Sequence, residues 1–175
     1  MASIDDWLSS EETGEPFSHC LRCKMPLVEI DAPWLVNKEI AGDECVMEYA
    51  ICQPCRDQVT DGLSEESKES VREFLEQEID WEGRMKDFML ATDLAERFTA
   101  CVACRGPRES LSGYAISALF DSGGTVVAGP LPLLICRTCV GRMTEKISDS
   151  TRRRWREFIE ENFEGPGHSG FPGLL

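Results

Sequence analysis

Eight of the nine cysteines in this 175-residue chain form four Cys-x-x-Cys pairs, and their spacing carries the clearest chemistry in the sequence. Each pair places two thiols on one turn of the backbone, where both can bind the same metal ion. The pairs are Cys20/Cys23, Cys52/Cys55, Cys101/Cys104 and Cys136/Cys139. Two pairs that meet in space supply four thiolates in a tetrahedron, the arrangement that Zn²⁺ prefers in structural sites. The sequence therefore predicts two structural metal centres in one chain.

The cysteine pattern occurs twice, and the two copies share more than their cysteines. Cys52 aligns with Cys136 at an offset of 84 residues, and Cys55 aligns with Cys139. At the same offset the helical segment 71–76 (VREFLE) aligns with 155–160 (WREFIE). This shared segment favours an internal duplication, which fixes the architecture of a chain. It predicts two modules of about 80 residues, a size at which a metal commonly supplements a small core.

The net charge of −14 is distributed very unevenly along the chain. Residues 1–95 carry 23 acidic and 8 basic side chains, whereas residues 96–175 carry 9 and 10. Proteins that bind nucleic acid present a basic surface, which the first part of the chain cannot supply. One basic cluster, Arg152, Arg153, Arg154 and Arg156, is the candidate contact for an anionic partner. We interpret it first as a solvated helix face or as a docking surface for the acidic module.

The sequence also indicates a compartment. No apolar run approaches the roughly 20 residues that span a bilayer, and the acidic N-terminus lacks the basic region of a secretion signal. We therefore expect a cytoplasmic protein whose thiols are reduced, so that the cysteine pairs act as metal ligands or redox groups and not as disulfides.

Hydrophobic periodicity predicts an α+β fold with two tandem modules, each with a knuckle, a β-hairpin, a helix and an appended amphipathic helix. Strands are predicted at 27–30, 45–51, 114–120 and 125–128. Ser64 and either Ser148 or Ser150 are predicted to cap the two appended helices. The predicted division is an acidic N-terminal arm at 1–17, modules at 18–80 and 99–164, a connecting helix packed between them at 81–98, and a Gly/Pro-rich tail at 165–175.

In each module a cysteine knuckle is followed by strands, and the second Cys-x-x-Cys pair opens a helix. This order resembles the treble-clef group of zinc-binding modules and, more loosely, the zinc ribbons. The resemblance covers most of residues 18–79 and 99–163 and implies one Cys₄ site in each module. The implied ligand sets are Cys20, Cys23, Cys52 and Cys55 in the first module, and Cys101, Cys104, Cys136 and Cys139 in the second. Independently, a helix that begins at the second pair would stabilise thiolates through its dipole and free N–H groups.

Two other uses of the cysteines compete with zinc. A rubredoxin-like iron centre also uses two Cys-x-x-Cys pairs, although such knuckles usually carry glycine after the second cysteine. Here those places hold Lys24, Arg56, Arg105 and Val140. Dithiol redox chemistry usually involves one pair in a βαβ context, which this pattern does not match. The predicted cofactor is Zn²⁺, two per chain, with iron as the alternative.

The function predicted from the sequence is recognition of another protein by a zinc-stabilised scaffold. The chain holds no phosphate-binding loop, nucleophile elbow or HExxH motif, and a closed four-ligand site leaves no open position for catalysis, so no enzyme is predicted. Alternatives are electron transfer with iron, nucleic-acid binding through the arginine cluster, and mimicry of nucleic acid by the acidic module. Predicted partner contacts, besides the arginine cluster, are Trp34, Phe171, Leu174 and Leu175.

Overall fold

The computed structural model of the chain describes residues 3–90 and 93–163. Its four strands are β1 (Trp34–Ala41), β2 (Glu44–Cys52), β3 (Gly113–Phe120) and β4 (Leu133–Cys136). Its six α-helices are α1 (Ile4–Leu8), α2 (Gln53–Asp61), α3 (Glu65–Glu78), α4 (Trp81–Leu90), α5 (Arg137–Thr144) and α6 (Asp149–Asn162). Short 3₁₀ helices cover Leu27–Glu29, Leu94–Phe98 and Arg108–Ser110. The predicted α+β class is confirmed, with one antiparallel sheet and helices around it.

The four strands form a single sheet in the order β2-β1-β3-β4, so strands from both predicted modules share it. At its centre β1 pairs with β3, and Asn37 lies opposite Ser117. The Ser117 hydroxyl donates to the Asn37 side-chain oxygen, while the Asn37 amide donates to the Tyr49 hydroxyl over 3.0 Å. This buried polar chain fixes the register at the junction, because a slip would leave its members without partners. The predicted hairpins thus become halves of one sheet.

The two long helices, α3 and α6, begin beside each other. Ser64 caps α3 and Ser148 caps α6, each by accepting a hydrogen bond from the backbone N–H three residues on. The two cap hydroxyls lie 3.0 Å apart. Ser64 N–H also donates to the Thr151 hydroxyl over 3.1 Å, and Ser148 N–H donates to the Ser67 hydroxyl over 2.8 Å. The backbone N–H of each cap residue therefore donates to the other helix three residues after its own cap, and each helix start depends on the other.

Each long helix also packs against the other half of the chain. Phe74 of α3 lies beneath Arg142 and Lys146, which belong to α5 and the turn after it. Phe158 of α6 meets Tyr49 of β2 edge-on, with ring centroids 6.2 Å apart. All of these aromatic residues belong to one continuous buried cluster. The two halves therefore share a core, which differs from the expectation that each module builds its own.

The N-terminal arm is fastened to the body of the molecule. Trp7 packs against Phe98 with ring centroids 5.8 Å apart. Glu11 pairs with Lys38 at 2.6 Å, and the Lys38 side chain is only 1 % exposed. Because a buried ammonium group is stable only when paired, the arm supplies the partner that allows Lys38 to lie in the central strand. The arm begins with the short helix α1 at residues 4–8.

Three predicted elements differ from the structure. The segment 27–30 contains a 3₁₀ turn instead of a strand. Residues 125–128 contribute one isolated bridge, between Val126 and Phe120, because the chain then enters a Gly/Pro-rich stretch that lacks donors for a ladder. The connector is α4 followed by a 3₁₀ helix, and α4 has no buried residue. Ala95 and Phe98 of the 3₁₀ helix pack into the core, so this part of the connector is buried while α4 lies at the surface.

No helix within residues 3–90 and 93–163 combines the length and apolar character that crossing a bilayer requires.

Candidate metal centres

Two Cys₄ clusters form at equivalent places in the two halves. In the first, Cys20 and Cys23 lie on a tight turn, Cys52 ends β2 and Cys55 lies in the first turn of α2. This grouping matches the predicted ligand set. The strand-to-helix transition explains it, because Cys52 is at once the last strand residue and the N-cap of the helix, which holds Cys55 one turn further on.

The second cluster repeats this arrangement. Cys101 and Cys104 lie on a turn, Cys136 ends β4 as the N-cap of α5, and Cys139 lies in the first turn of that helix. The Cys136 sulfur accepts a hydrogen bond from Cys139 N–H over 3.4 Å. Both clusters therefore use a sheet edge and a helix start to hold four sulfurs together.

The sulfur positions fit a tetrahedral metal ion. Within each cluster all four sulfurs lie within 4.8 Å of one another. Cys23 and Cys52 sulfurs are 4.0 Å apart, and Cys104 and Cys136 sulfurs are 3.7 Å apart. A metal–sulfur distance of about 2.3 Å gives a tetrahedral edge of about 3.8 Å, so little movement is needed to close either site. Each cluster could hold one metal ion.

Burial follows the same pattern in both clusters. Three of the four cysteines are buried, and the fourth, Cys23 or Cys104, is exposed on the knuckle. Each site therefore has three cysteines in the protein interior and one cysteine at the surface. This geometry suits a metal that holds secondary structure together, since the buried ligands leave little room for a substrate.

Backbone N–H groups point at the sulfur of Cys20 and favour its thiolate. Burial alone would raise the pKa of this thiol. Hydrogen bonds from the backbone N–H groups of Cys52, Cys23 and Arg22 outweigh that effect and lower the pKa to about 7. The Cys52 N–H lies 3.5 Å from the Cys20 sulfur. Such N–H···S contacts disperse the negative charge that four thiolates would bring to a divalent ion.

The second cluster also contains one thiol that ionises easily. Burial opposes ionisation of Cys104, but the Gly106 N–H and neighbouring thiols lower its pKa. The thiols in the first turns of α2 and α5, Cys55 and Cys139, have raised pKa values, first because of burial and then because of the nearby sulfurs. Protons must leave these inner thiols when a metal binds, which ties metal affinity to pH.

The residue after each knuckle adopts a left-handed conformation. Lys24 and Arg105 both have φ of 61°. This conformation closes the turn, since Lys24 N–H donates to the Cys20 carbonyl over 3.0 Å and Arg105 N–H donates to the Cys101 carbonyl over 2.9 Å. Glycine adopts such a φ without a Cβ penalty, so two non-glycine residues here store strain at the metal turns. The residues after the other two pairs are helical and need no glycine.

The residues predicted to contact a partner differ in their exposure to solvent. Trp34 is 5 % exposed and stacks on Phe120 at 5.7 Å, so it is a core residue with little surface to offer a partner. That prediction is corrected, because β1 is a central strand. In the arginine cluster, Arg153 and Arg156 are exposed. Arg152 lies 3.7 Å from Asp149 and Arg154 lies 3.8 Å from Glu157. Phe171, Leu174 and Leu175 lie outside the described residues.

Sequence reasoning missed how the loop after β3 is held. Arg84 and Arg97 donate to backbone carbonyls of residues 129–132, including Pro130 at 3.2 Å from Arg84 Nε. The carbonyl groups of residues 129–132 do not take part in the hydrogen bonds of the sheet. The guanidinium groups of Arg84 and Arg97 donate hydrogen bonds to them instead. The Gly/Pro-rich composition of this loop was the only available signal, and it does not identify the donors.

Comparison of the chain with known protein families, with curated proteins and with solved structures found no match. The two Cys₄ centres and the surfaces around them therefore carry the functional argument.

Proposed function

We propose that this protein is a scaffold of two duplicated units, each stabilised by one structural Zn²⁺ ion, that recognises another protein in the cytoplasm. The observation that carries the proposal is the pair of Cys₄ clusters, each with three buried sulfurs at tetrahedral spacing. In each half the ion would join the knuckle to the sheet and to a helix start.

The choice of zinc rests on ligand chemistry. Four thiolates, N–H···S bonds and no histidine or carboxylate describe a typical structural zinc site. Iron accepts the same tetrahedral S₄ set, so geometry does not separate the two metals. The knuckle turns are formed by Lys24 and Arg105 without the glycine that rubredoxin-like knuckles usually carry. This departure supports zinc over iron and over electron transfer.

Recognition, not catalysis, is the role that this arrangement supports. A catalytic zinc ion keeps one coordination position for water or substrate, whereas four cysteines fill the shell. The remaining chemistry of the chain is that of its surface, which combines a strongly acidic half with exposed apolar residues.

Metal analysis tests the proposal directly. Protein purified without added metal should contain two zinc atoms per chain and absorb no visible light. Cys23→Ser and Cys104→Ser alter the two exposed ligands, and each should reduce the zinc content by about one atom per chain. Cys45→Ser is the matched control, because Cys45 belongs to neither cluster, and it should retain both atoms.

A zinc chelator should then release both ions and lower the helical circular dichroism signal, because the metals hold the helix starts. Iron with visible absorption bands would instead favour electron transfer. Little metal of either kind, in protein that is still folded, would refute the proposal and point to dithiol chemistry.

A further inference from the structure

Helix α4 exposes apolar side chains that nothing in the described part of the chain covers. None of its ten residues is buried. Met85 is 51 % exposed, and Met89 and Leu90 are each 81 % exposed. Met85 and Met89 are four residues apart and so lie on one face of the helix. Isolated exposed apolar residues are common, but three on one short helix form a patch typical of a binding surface.

The patch continues into an apolar groove. Trp81 lies one turn before Met85 and lines a cavity of about 380 Å³, whose wall also includes residues of α3, Thr60 of α2 and Thr151 of α6. The apolar floor of this cavity is formed by Leu63, Val71 and Leu75. The apolar patch on α4 and the neighbouring groove could together bind an apolar stripe on the surface of a partner. Methionine suits such a surface, because its flexible thioether adapts to the shape of the other side.

The surroundings of the patch are negatively charged. Residues 65–90, which span α3 and α4, carry nine acidic and four basic side chains. Three of the basic residues form ion pairs within the same helix: Lys68 with Glu65, Arg72 with Glu69, and Lys86 with Glu82. The fourth, Arg84, bonds to the carbonyl groups of the loop at 129–132. Two more carboxylates pair with arginines of the second half, Glu78 with Arg142 and Asp80 with Arg105. The carboxylates without a salt bridge in the described part of the chain are Glu66, Glu73, Glu76 and Asp87.

This charge selects among possible occupants. A second copy of the chain that placed this same face here, in a two-fold dimer, would bring an equally acidic surface, and like charges repel across an interface. An acidic peptide or a nucleic acid meets the same repulsion. A partner with apolar side chains flanked by lysine or arginine gains contacts of both kinds, and an amphipathic helix presents this pattern at i, i+3, i+4 and i+7.

We propose that the α4 face, formed by Trp81, Met85 and Met89, and the groove over Val71 and Leu75 together dock a basic amphipathic helix of a partner protein. This inference rests on the proposed recognition function and names the chemistry of its partner. The apolar stripe enters the groove and lies along α4. The basic flanks meet the carboxylates of α3 and α4.

Two synthetic helical peptides test the proposal on the full zinc-loaded chain. They share one apolar stripe and differ only in the polar face, which carries lysine and arginine in one and glutamate in the other. Fluorescence anisotropy should detect binding of the basic peptide alone. Its affinity should fall about tenfold between roughly 50 and 300 mM salt, because the flanking charges are exposed.

Substitutions then locate the site. Met85→Glu combined with Met89→Glu should weaken binding of the basic peptide at least tenfold, on the order of the loss of a hot-spot contact. Val28→Glu is the matched control, since Val28 is 75 % exposed but lies outside this surface, and it should leave the affinity unchanged. Circular dichroism and zinc content measured on each variant show that the fold is intact.

A basic peptide that binds no better than the acidic one overturns the proposal, as does equal weakening by Val28→Glu. A dimer in sedimentation analysis that the double methionine substitution dissolves would assign the surface to a second copy instead. Two zinc atoms in a chain that binds no peptide would refute the docking surface alone. Absence of zinc would refute the proposed scaffold.

Discussion

Truncating Phe74 should destabilise both halves of the protein, although the residue belongs to the first. Phe74 is 1 % exposed on α3, and it contacts Arg142 and Lys146 with their charged groups 5.5 and 5.6 Å from its ring centroid. Replacing a buried phenylalanine by alanine costs about 3–5 kcal/mol. The two cation–π contacts add up to about 1 kcal/mol each at partly exposed positions, which places Phe74→Ala near the upper end of that range.

Urea unfolding followed by circular dichroism measures the effect. With a slope of about 2 kcal/mol per molar urea, the midpoint should fall by about 2 M. The matched control is Glu73→Ala on the exposed face of the same helix, which should change stability by less than about 0.5 kcal/mol.

Hydrogen exchange resolved along the chain then tests the shared core. Amides of α3 and of α5 should lose protection together in Phe74→Ala, because the two helices open as one cooperative unit. If protection falls in residues 65–78 while residues 133–147 keep the protection of the unaltered protein, the halves are independent and the reasoning from one sheet is wrong.

Two further predictions concern single residues. Burial, and then the charge of Glu48, raises the pKa of Cys45 to about 11 from 9.0. At pH 8 its thiolate fraction should therefore be roughly a hundredfold below that of an ordinary thiol, and iodoacetamide should label it that much more slowly in the folded zinc-loaded protein than after denaturation. Equal rates would contradict the burial argument. Lys24→Gly should raise the free energy of unfolding by up to about 1 kcal/mol, because it relieves a left-handed φ. Arg56→Gly, at the equivalent place after a helical pair, should lower it by about 1 kcal/mol, and thermal unfolding of both variants checks the opposite signs.

The sequence was sufficient to group the eight cysteines and to place the two long helices, because both signals are local. Cys-x-x-Cys fixes a turn, and a serine cap before a 3.6-residue apolar period fixes a helix. The Ser64 cap and the apolar face of α3 are found as predicted, and Ser148 is the residue that caps α6.

Strand β1 was missed because its burial does not alternate. Asn37 and Lys38 are both buried in the centre of the sheet. Each is stabilised by residues far away in sequence, Asn37 by Tyr49 and Ser117 and Lys38 by Glu11. A prediction from sequence places a polar residue at the surface unless its buried partners are known. Local patterns therefore could not reveal strand β1 or its pairing with β3.

One difference between the two halves lies beside the groove that Trp81 lines. At the offset of 84 residues, Val71 takes the place of Trp155, which is buried and stacks on Phe158 with centroids 4.8 Å apart. Val71 lines the groove of about 380 Å³ that Trp81 also borders. The metal ligands, the helix caps and the buried pair Phe74 and Phe158 are shared because packing constrains them.

An apolar strip left in water forfeits about 25 cal/mol for each Å² that a partner would cover. The same strip buried by a partner contributes that amount to binding, and the surrounding carboxylates decide which partner can approach. The fold therefore stabilises the two halves through what they have in common, while the groove and α4 form the surface that we propose for a partner.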